Sequence, residues 1–275
     1  MTTREAFLLG VLGGELVGRV AQLLDTEEVA VMPLKGALLQ RWVYEDPAER
    51  TIQDVDLLVA PGCFDRAEGA LRRGGFRHLR DEPGRWQSVW WDPRVPVEVD
   101  LHQRLVRTRR HRLTARALFA AGRRDEGLFG APVVLPDPTD LYAHLVAHAS
   151  TTFLISGYLH RPRDLPRVAA RFGFEPRACA LHLERRGVAR HARLVLPLVR
   201  EVTDDPFGEA VLSHLPADPV GSATARLARR AVERTPASSP ARRLAGLLLN
   251  PTLADAGAAV VESALGRIGV RAGGP

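Results

Sequence analysis

Several residue types are scarce in this 275-residue chain, and each scarcity excludes a class of protein. Only two cysteines occur, Cys63 and Cys179, so the sequence defines neither a disulfide framework nor a thiolate metal cluster. Apolar runs stay short of the roughly 18 residues that a membrane-spanning helix needs. We therefore expect a cytoplasmic protein with no membrane association.

The first apolar stretch has the spacing of an amphipathic helix. Phe7, Leu8, Val11, Leu12 and Leu16 recur at intervals of three and four residues, and the short apolar run soon meets a glutamate. This pattern predicts a helix that buries one face rather than a signal peptide.

Lysine is the scarcest charged residue, since Lys35 is the only one among 38 basic residues. The net charge of +6 favours acidic partners only in general, because the basic residues are scattered. A lone lysine in an arginine-rich chain is expected where a compact point charge works and a planar guanidinium does not. The alternative is that Lys35 has been kept by chance on a solvated surface.

Lys35 and Gly36 stand between a β-prone run over 28–34 and a helical run over 37–42. Glycine lets a phosphate approach the backbone, a helix N-terminus offers free N–H groups, and lysine adds charge. The junction therefore predicts an anion site, although it lacks the spacing of a P-loop and a following Ser or Thr.

Two carboxylates, Asp54 and Asp56, lie within an otherwise apolar, β-prone run that ends at Val59. Side chains alternate along a strand, so both carboxylates project from one face. Neighbouring carboxylates repel each other unless a cation lies between them, and a divalent cation does this best. The alternative is a strand end with two solvated acids.

A second predicted strand, over 95–105, repeats this pattern. Its apolar residues at 97, 99 and 101 face the core, whereas Glu98, Asp100 and His102 fall on the other face. If the two strands are neighbours, Asp100 joins the first two acids. His102 is then a candidate base or phosphate contact, and the alternative is a polar residue at a strand end.

From about residue 110 the composition changes to helices rich in Ala, Leu and Arg, apart from a short apolar segment at 132–135. We therefore expect a catalytic domain over residues 1–112 and a helical C-terminal domain over residues 113–275. A helix at 64–75 and a strand at 85–91 are predicted in the first domain. Helices are predicted in the second at 140–150, 164–172, 176–184, 188–199, 223–233, 241–249 and 253–268, with a loop at 235–240 and a disordered end at 271–275.

These motifs together resemble one family. Leu34-Lys35-Gly36, Arg50, Asp54–Val59 and Val99–His102 are similar to the L-K-G, R-x-x-x-D-h-D-h-h-V and D-h-H motifs of a poorly characterised nucleotidyltransferase-like branch of the DNA polymerase beta superfamily. The resemblance covers about the first 105 residues. It extends less specifically to 140–164, which contains His144, His148, Arg161 and Asp164.

The resemblance implies an α+β fold, in which a small mixed β-sheet with helices is followed by an all-helical C-terminal domain. It also implies that Asp54, Asp56 and Asp100 are catalytic and bind two Mg²⁺ ions, while Lys35, Gly36 and Arg50 contact the nucleoside triphosphate (NTP). Two metals stabilise both the attacking and the leaving oxygens of an in-line transfer. The expected reaction moves a nucleotidyl group to a hydroxyl or phosphate on a small molecule, peptide or protein.

The chain departs from the commoner superfamily pattern at two points, because Ala37 follows Gly36 where a serine or glycine is usual, and Asp54 lies 18 residues after Gly36. A non-catalytic nucleotide-binding or antitoxin-like protein that keeps the fold is therefore the main alternative. A nucleic-acid-binding protein is a third reading that rests on charge, including the arginine-rich stretch 104–112, for which a solvated basic face is the default.

Histidines 144 and 148 have the i, i+4 spacing of a helical zinc site. No third ligand is evident in the sequence, so packing or a cleft-lining role is the preferred interpretation. The tryptophans at 86, 90 and 91 are interpreted as core and sheet-edge residues rather than base-stacking platforms.

Overall fold

The structure is a computed structural model that describes residues 3–82, 84–105 and 112–250. The chain divides into two compact units. One comprises Met1–Arg107 with Thr114–Asp137, and the other comprises Thr108–Leu113 with Pro138–Pro275.

The first unit is built on a five-stranded sheet. Its strands are β1 (Val31–Leu34), β2 (Asp54–Val59), β3 (Arg77–Asp81), β4 (Gln87–Trp91) and β5 (Glu98–His102). They are arranged in the order β1-β2-β5-β4-β3, in which β2 and β5 are parallel and the other pairs are antiparallel. The only parallel pair of this sheet therefore joins the two strands that carry the predicted acids.

Helices pack on this sheet, and a small hairpin completes the unit. These elements are α1 (Thr3–Asp25), α2 (Lys35–Trp42), a 3₁₀ turn (Pro47–Glu49), α3 (Phe64–Arg73), α4 (Ala115–Ala121), β6 (Arg123–Asp125) and β7 (Val133–Leu135). Helix α1 packs against α2, α3 and β2.

Within the described residues, one stretch of α1, Phe7–Asp25, is long and apolar enough to cross a membrane by length and composition. Half of that stretch is buried inside the structure, including Leu16, Val20 and Leu24. A core helix passes the same test of length and composition, so the stretch is weak evidence for a membrane segment. The predicted amphipathic helix is confirmed as a core helix of the first unit.

The second unit is helical throughout its described part. Its helices are α5 (Pro138–Ser156), α6 (Asp164–Phe172), α7 (Pro176–Arg185), α8 (Ala189–Thr203), α9 (Phe207–His214), α10 (Pro219–Arg234) and α11 (Pro240–Leu248). One buried cluster joins α5, α8, α10 and α11 through residues that include Phe153, Leu194 and Ala228.

The predicted α+β fold is confirmed, with a small mixed sheet and helices followed by a helical region. Strand β3 was not predicted because all five of its residues are exposed, so it shows no apolar alternation. Helices α4 and α9 and the short strand β6 were also missed. The predicted helix at 253–268, the disordered end at 271–275 and most of the stretch 104–112 lie outside the described residues.

The predicted domain boundary after residue 112 differs from the observed division, which places 114–137 with the first unit. This segment contains the β6–β7 hairpin, and β7 contacts β1. The catalytic assignment of the first domain stays a prediction.

Candidate active site

The parallel pairing of β2 and β5 brings the predicted acids side by side. Asp56 is the Cα partner of Asp100, and Asp54 is the partner of Glu98. The apolar residues that alternate with these acids, including Val55 and Val99, are fully buried. The expectation that the two acidic strands are neighbours is therefore confirmed.

Asp56 is the most buried of the three aspartates, with 3% of its surface exposed. Its Oδ1 atom lies 2.5 Å from Nζ of Lys35 and 2.9 Å from Nε2 of His102. Within the described residues its other oxygen, Oδ2, accepts no hydrogen bond. The chain thus neutralises one side of this carboxylate and leaves the other side available.

Burial alone would raise the pKa of Asp56, but the charge of Lys35 and the hydrogen bond from His102 outweigh it, so the pKa lies well below its usual value. Burial would likewise lower the pKa of Lys35, and the Asp56 carboxylate reverses that effect. Both groups are therefore charged at neutral pH. Burial lowers the pKa of His102, which keeps its imidazole neutral.

Asp100 has a different environment. The side-chain amide of Gln87, the first residue of β4, donates a hydrogen bond to Oδ2 of Asp100. Burial, followed by the negative charges of Asp56 and Asp54, raises the pKa of Asp100 to about 7. A carboxylate crowded by two others is the electrostatic situation that a bound cation relieves.

Asp54 is the first residue of β2 and is half-buried. Burial and the neighbouring Asp56 raise its pKa. Ligand atoms of Asp56, Asp100 and His102 all lie within 4.8 Å of one another, which suits a shared cation, and Asp54 is not part of that group. The structure therefore brings two predicted acids together with His102 and puts the third acid on the same strand, two residues before Asp56.

The predicted anion site lies where β1 ends and α2 begins. Lys35 is the first residue of α2 and has a φ of 45°, a left-handed conformation that is uncommon for a side-chain-bearing residue. Leu34, the N-cap residue of α2, makes no side-chain capping hydrogen bond. Free N–H groups at such a terminus bind phosphate.

Gly36 and Arg50 lie close together. A Cβ atom at Gly36 would lie 3.2 Å from Cγ2 of Ile52 and 3.8 Å from Nη1 of Arg50. The Arg50 side chain is largely buried and donates to the carbonyl of Thr51 at 2.6 Å. Gln40, on α2, holds this segment because its amide donates to the carbonyl of Arg50 at 2.9 Å.

Two further groups of residues contain side chains that can bind a metal. His144 and His148 have ring centroids 6.1 Å apart, His144 is fully buried, and neither belongs to a cluster of three metal-ligating residues in the described part of the chain. Glu68, His78 and Asp81 do form such a cluster. However, Arg85 pairs with Glu68 at 2.5 Å and with Asp65 at 3.2 Å, so a cation already lies there.

Sequence reasoning missed Gln87 and Gln40. A single glutamine before an aromatic strand, or within a helix, carries no pattern of its own. Strand pairing that set Gln87 opposite His102 would have pointed to the acids, but that register is not readable from one sequence.

Residues 14–204, more than half of the chain, match the family described as "Uncharacterised nucleotidyltransferase". The chain is also similar to the crystal structure of an antigenic nucleotidyltransferase-like protein from Paracoccidioides brasiliensis, with 16% identity and a TM-score of 0.45 over 74% of this chain and 94% of that one. No curated protein matches the sequence.

Proposed function

Because the chain belongs to the family of uncharacterised nucleotidyltransferases, we propose that it is a magnesium-dependent enzyme that moves a nucleotidyl group from an NTP to a hydroxyl or phosphate acceptor. The family and fold support nucleotidyl transfer as the activity class. The observation that carries the proposal further is the pairing of Asp56 with Asp100 on adjacent parallel strands, two residues beyond Asp54. We assign the chemistry to the predicted domain of residues 1–112 and the protein to the cytoplasm.

The donor set fits a hard divalent cation. Within the described residues, Oδ2 of Asp56 and Oδ1 of Asp100 accept no hydrogen bond, and the pKa of Asp100 is raised because burial and neighbouring carboxylates disfavour its charged form. Asp54, Asp56 and Asp100 would hold the metal, since Mg²⁺ prefers carboxylate oxygens. When bound, two Mg²⁺ ions stabilise charge on the attacking and leaving oxygens.

The start of α2 is the proposed phosphate site. Its uncapped N–H groups, the Lys35 ammonium and the Arg50 guanidinium all favour a triphosphate, because each offers positive charge or donors to anionic oxygens. Lys35 is also the residue that joins this site to the acids, because its Nζ lies 2.5 Å from Asp56. Gly36 leaves room beside Arg50 that a larger residue would fill.

In the proposed reaction an acceptor oxygen attacks the α-phosphorus in line, a new P–O bond forms, and the bond to pyrophosphate breaks. A hydroxyl acceptor releases its proton to solvent as it attacks. Negative charge that grows on the leaving pyrophosphate is stabilised by Lys35 and Arg50. Asp54, Asp56 and Asp100 would hold the cations at the reacting centre through their negative charge.

The experiment is pyrophosphate release by the wild-type chain and by an Asp54→Asn/Asp56→Asn variant, with each of the four NTPs and a panel of acceptors. We expect release that depends on Mg²⁺ and is lost in the variant. Turnover at the wild-type rate in the variant would overturn the proposal.

Calorimetry with ATP, GTP, CTP and UTP, with and without Mg²⁺, tests the main rival. Nucleotide affinity that is the same with and without Mg²⁺, together with no turnover, would favour a non-catalytic nucleotide-binding or antitoxin-like protein. The retention of all three acids supports the enzyme instead.

A further inference from the structure

The side chain of Gln87 reaches the acidic site from β4, the strand next to β5. Gln87 is the first residue of β4 and pairs across the antiparallel ladder with His102. Directly opposed residues share a face of the sheet, so Gln87 lies on the face of the acids. Only 7% of the residue is exposed, and its amide donates to Oδ2 of Asp100.

Gln87 and His102 each contact one oxygen of a neighbouring aspartate. His102 Nε2 contacts Oδ1 of Asp56 at 2.9 Å, and Gln87 Nε2 contacts Oδ2 of Asp100. Within the described residues, the second oxygen of each carboxylate accepts no hydrogen bond. A carboxylate held through one oxygen cannot turn freely, so its other oxygen keeps one direction.

A neutral amide suits this task better than a charged donor. An arginine or lysine at position 87 would hold Asp100 more strongly, but its positive charge would oppose a cation at the same carboxylate. A glutamine donates the hydrogen bond without adding net charge. The site already has one ammonium at Asp56, from Lys35, and Gln87 adds no second one.

We propose that Gln87 is a positioning residue for Asp100, which fixes this carboxylate so that its free oxygen faces the cation site. The inference rests on the proposed function, because it assumes that Asp100 binds metal. Donors that hold metal-ligating side chains typically contribute 10- to 100-fold to metal affinity.

The test is Mn²⁺ binding in the absence of nucleotide, measured by electron paramagnetic resonance on the full chain. Gln87→Met keeps the length of the side chain and removes the donor, and Gln87→Asn keeps the amide but shortens its reach. Gln22→Met, at an exposed position of α1, is the matched control. We expect Mn²⁺ affinity to fall about 10-fold or more in both Gln87 variants and to stay unchanged in the control.

A double-mutant cycle with Asp100→Asn separates positioning from packing. If Gln87 acts through Asp100, Gln87→Met weakens Mn²⁺ binding in the wild-type background and has little further effect in the Asp100→Asn background. Equal losses in both backgrounds would mean a general packing defect and would overturn the inference. Thermal melting checks that each variant is folded. If Gln87→Met is unfolded, the comparison rests on Gln87→Asn.

The two proposals fail in different ways. Wild-type affinity in both Gln87 variants, with Asp100→Asn still impaired, would overturn the role of Gln87 and leave the proposed function standing. Absence of Mn²⁺ binding by the wild-type chain, or full binding by Asp100→Asn, would instead overturn the metal site on which the proposed function depends.

Discussion

Lys35 and the proposed metal compete for the same carboxylate. The Lys35 ammonium lies 2.5 Å from Oδ1 of Asp56, both groups are largely buried, and the lysine is the only one in the chain. A bound triphosphate would offer this ammonium a second anionic partner. Lys35 therefore balances the charge of Asp56 in the free protein and is suited to contact phosphate in the loaded one.

We predict that Lys35→Met separates these two roles. Methionine keeps an unbranched stem of similar length without the charge. Mn²⁺ binding without nucleotide should tighten about threefold or more, because a neighbouring positive charge is removed. NTP turnover should fall about 100-fold, because stabilisation of the phosphate charge is lost.

Manganese titration and pyrophosphate release measure the two effects on one preparation. A variant that loses metal binding along with turnover would contradict the proposed role of Lys35. The loss would then mean that Lys35 holds the Asp56 strand in place and does not contact phosphate.

The raised pKa of Asp100 predicts a stability cost that depends on pH. This carboxyl titrates at about 7 in the folded chain against an ordinary value of 3.8. The folded state therefore binds a proton that the unfolded chain releases, and the free energy of unfolding falls as pH rises from about 4 to about 7. Asp100→Asn removes that loss and keeps an oxygen for the amide of Gln87.

In the presence of a chelator, we expect the stability gain of Asp100→Asn over wild type to grow by about 2–3 kcal/mol between pH 5 and pH 8. Urea denaturation at the two pH values measures it. Asp65→Asn, at an exposed position in the same unit, is the control and should show no such growth. A gain independent of pH would mean that Asp100 is not the titrating group.

At the scale of elements, the junction of β1 and α2 combines a strained residue with a crowded glycine. Lys35 has its left-handed φ of 45°, and Gly36 packs so closely that a methyl group would meet Ile52 at 3.2 Å. The glycine is therefore favoured by packing as well as by the proposed phosphate site. These two requirements can be separated by substitution.

We predict that Gly36→Ala raises the KM for NTP about 10-fold, because its methyl group lies 3.8 Å from Nη1 of Arg50, where a phosphate would approach. Stability should change by less than about 1 kcal/mol, since the helix propensity of alanine offsets the contact with Ile52. The matched variant Gly36→Ala/Ile52→Leu relieves that contact, because leucine keeps the volume of the side chain and lacks the Cγ2 branch that the new methyl group would meet. Steady-state kinetics and melting follow both variants, and a normal KM in the double variant would assign the effect to packing.

The sequence was sufficient for elements that have an apolar face. Strands β2 and β5 were predicted by alternation, and so was the idea that Asp100 could join Asp54 and Asp56. The parallel pairing that brings the acids together joins residues 44 positions apart and had to be assumed from resemblance. Strand β3 could not be predicted because its five residues are all exposed and show no apolar alternation. The contact of Gln87 with Asp100 could not be predicted because it depends on the register between β4 and β5.

At the scale of the whole molecule, many arginines within the described residues pair with acids. The sequence has a net charge of +6, yet arginines pair with acids on several elements, as Arg73 does with Glu27 and Arg229 with Glu201. Such pairs reduce the local field that a polyanion would meet.

Each compact unit has a buried core of its own, which predicts separate responses to core mutations. Leu194, on α8, belongs to the buried cluster of the second unit, and Leu71, on α3, is fully buried in the first. Replacing a buried leucine by alanine costs about 2–5 kcal/mol. We therefore expect Leu194→Ala to destabilise the second unit and Leu71→Ala to destabilise the first.

Hydrogen exchange followed by mass spectrometry measures the destabilisation of each unit separately. Leu194→Ala should speed exchange in peptides of α8 and α10 and leave exchange in β2 and β5 unchanged. Leu71→Ala should do the reverse. Equal acceleration in both units by either variant would show that they unfold as one cooperative body, so that the stability of the acidic site depends on the helical unit as well.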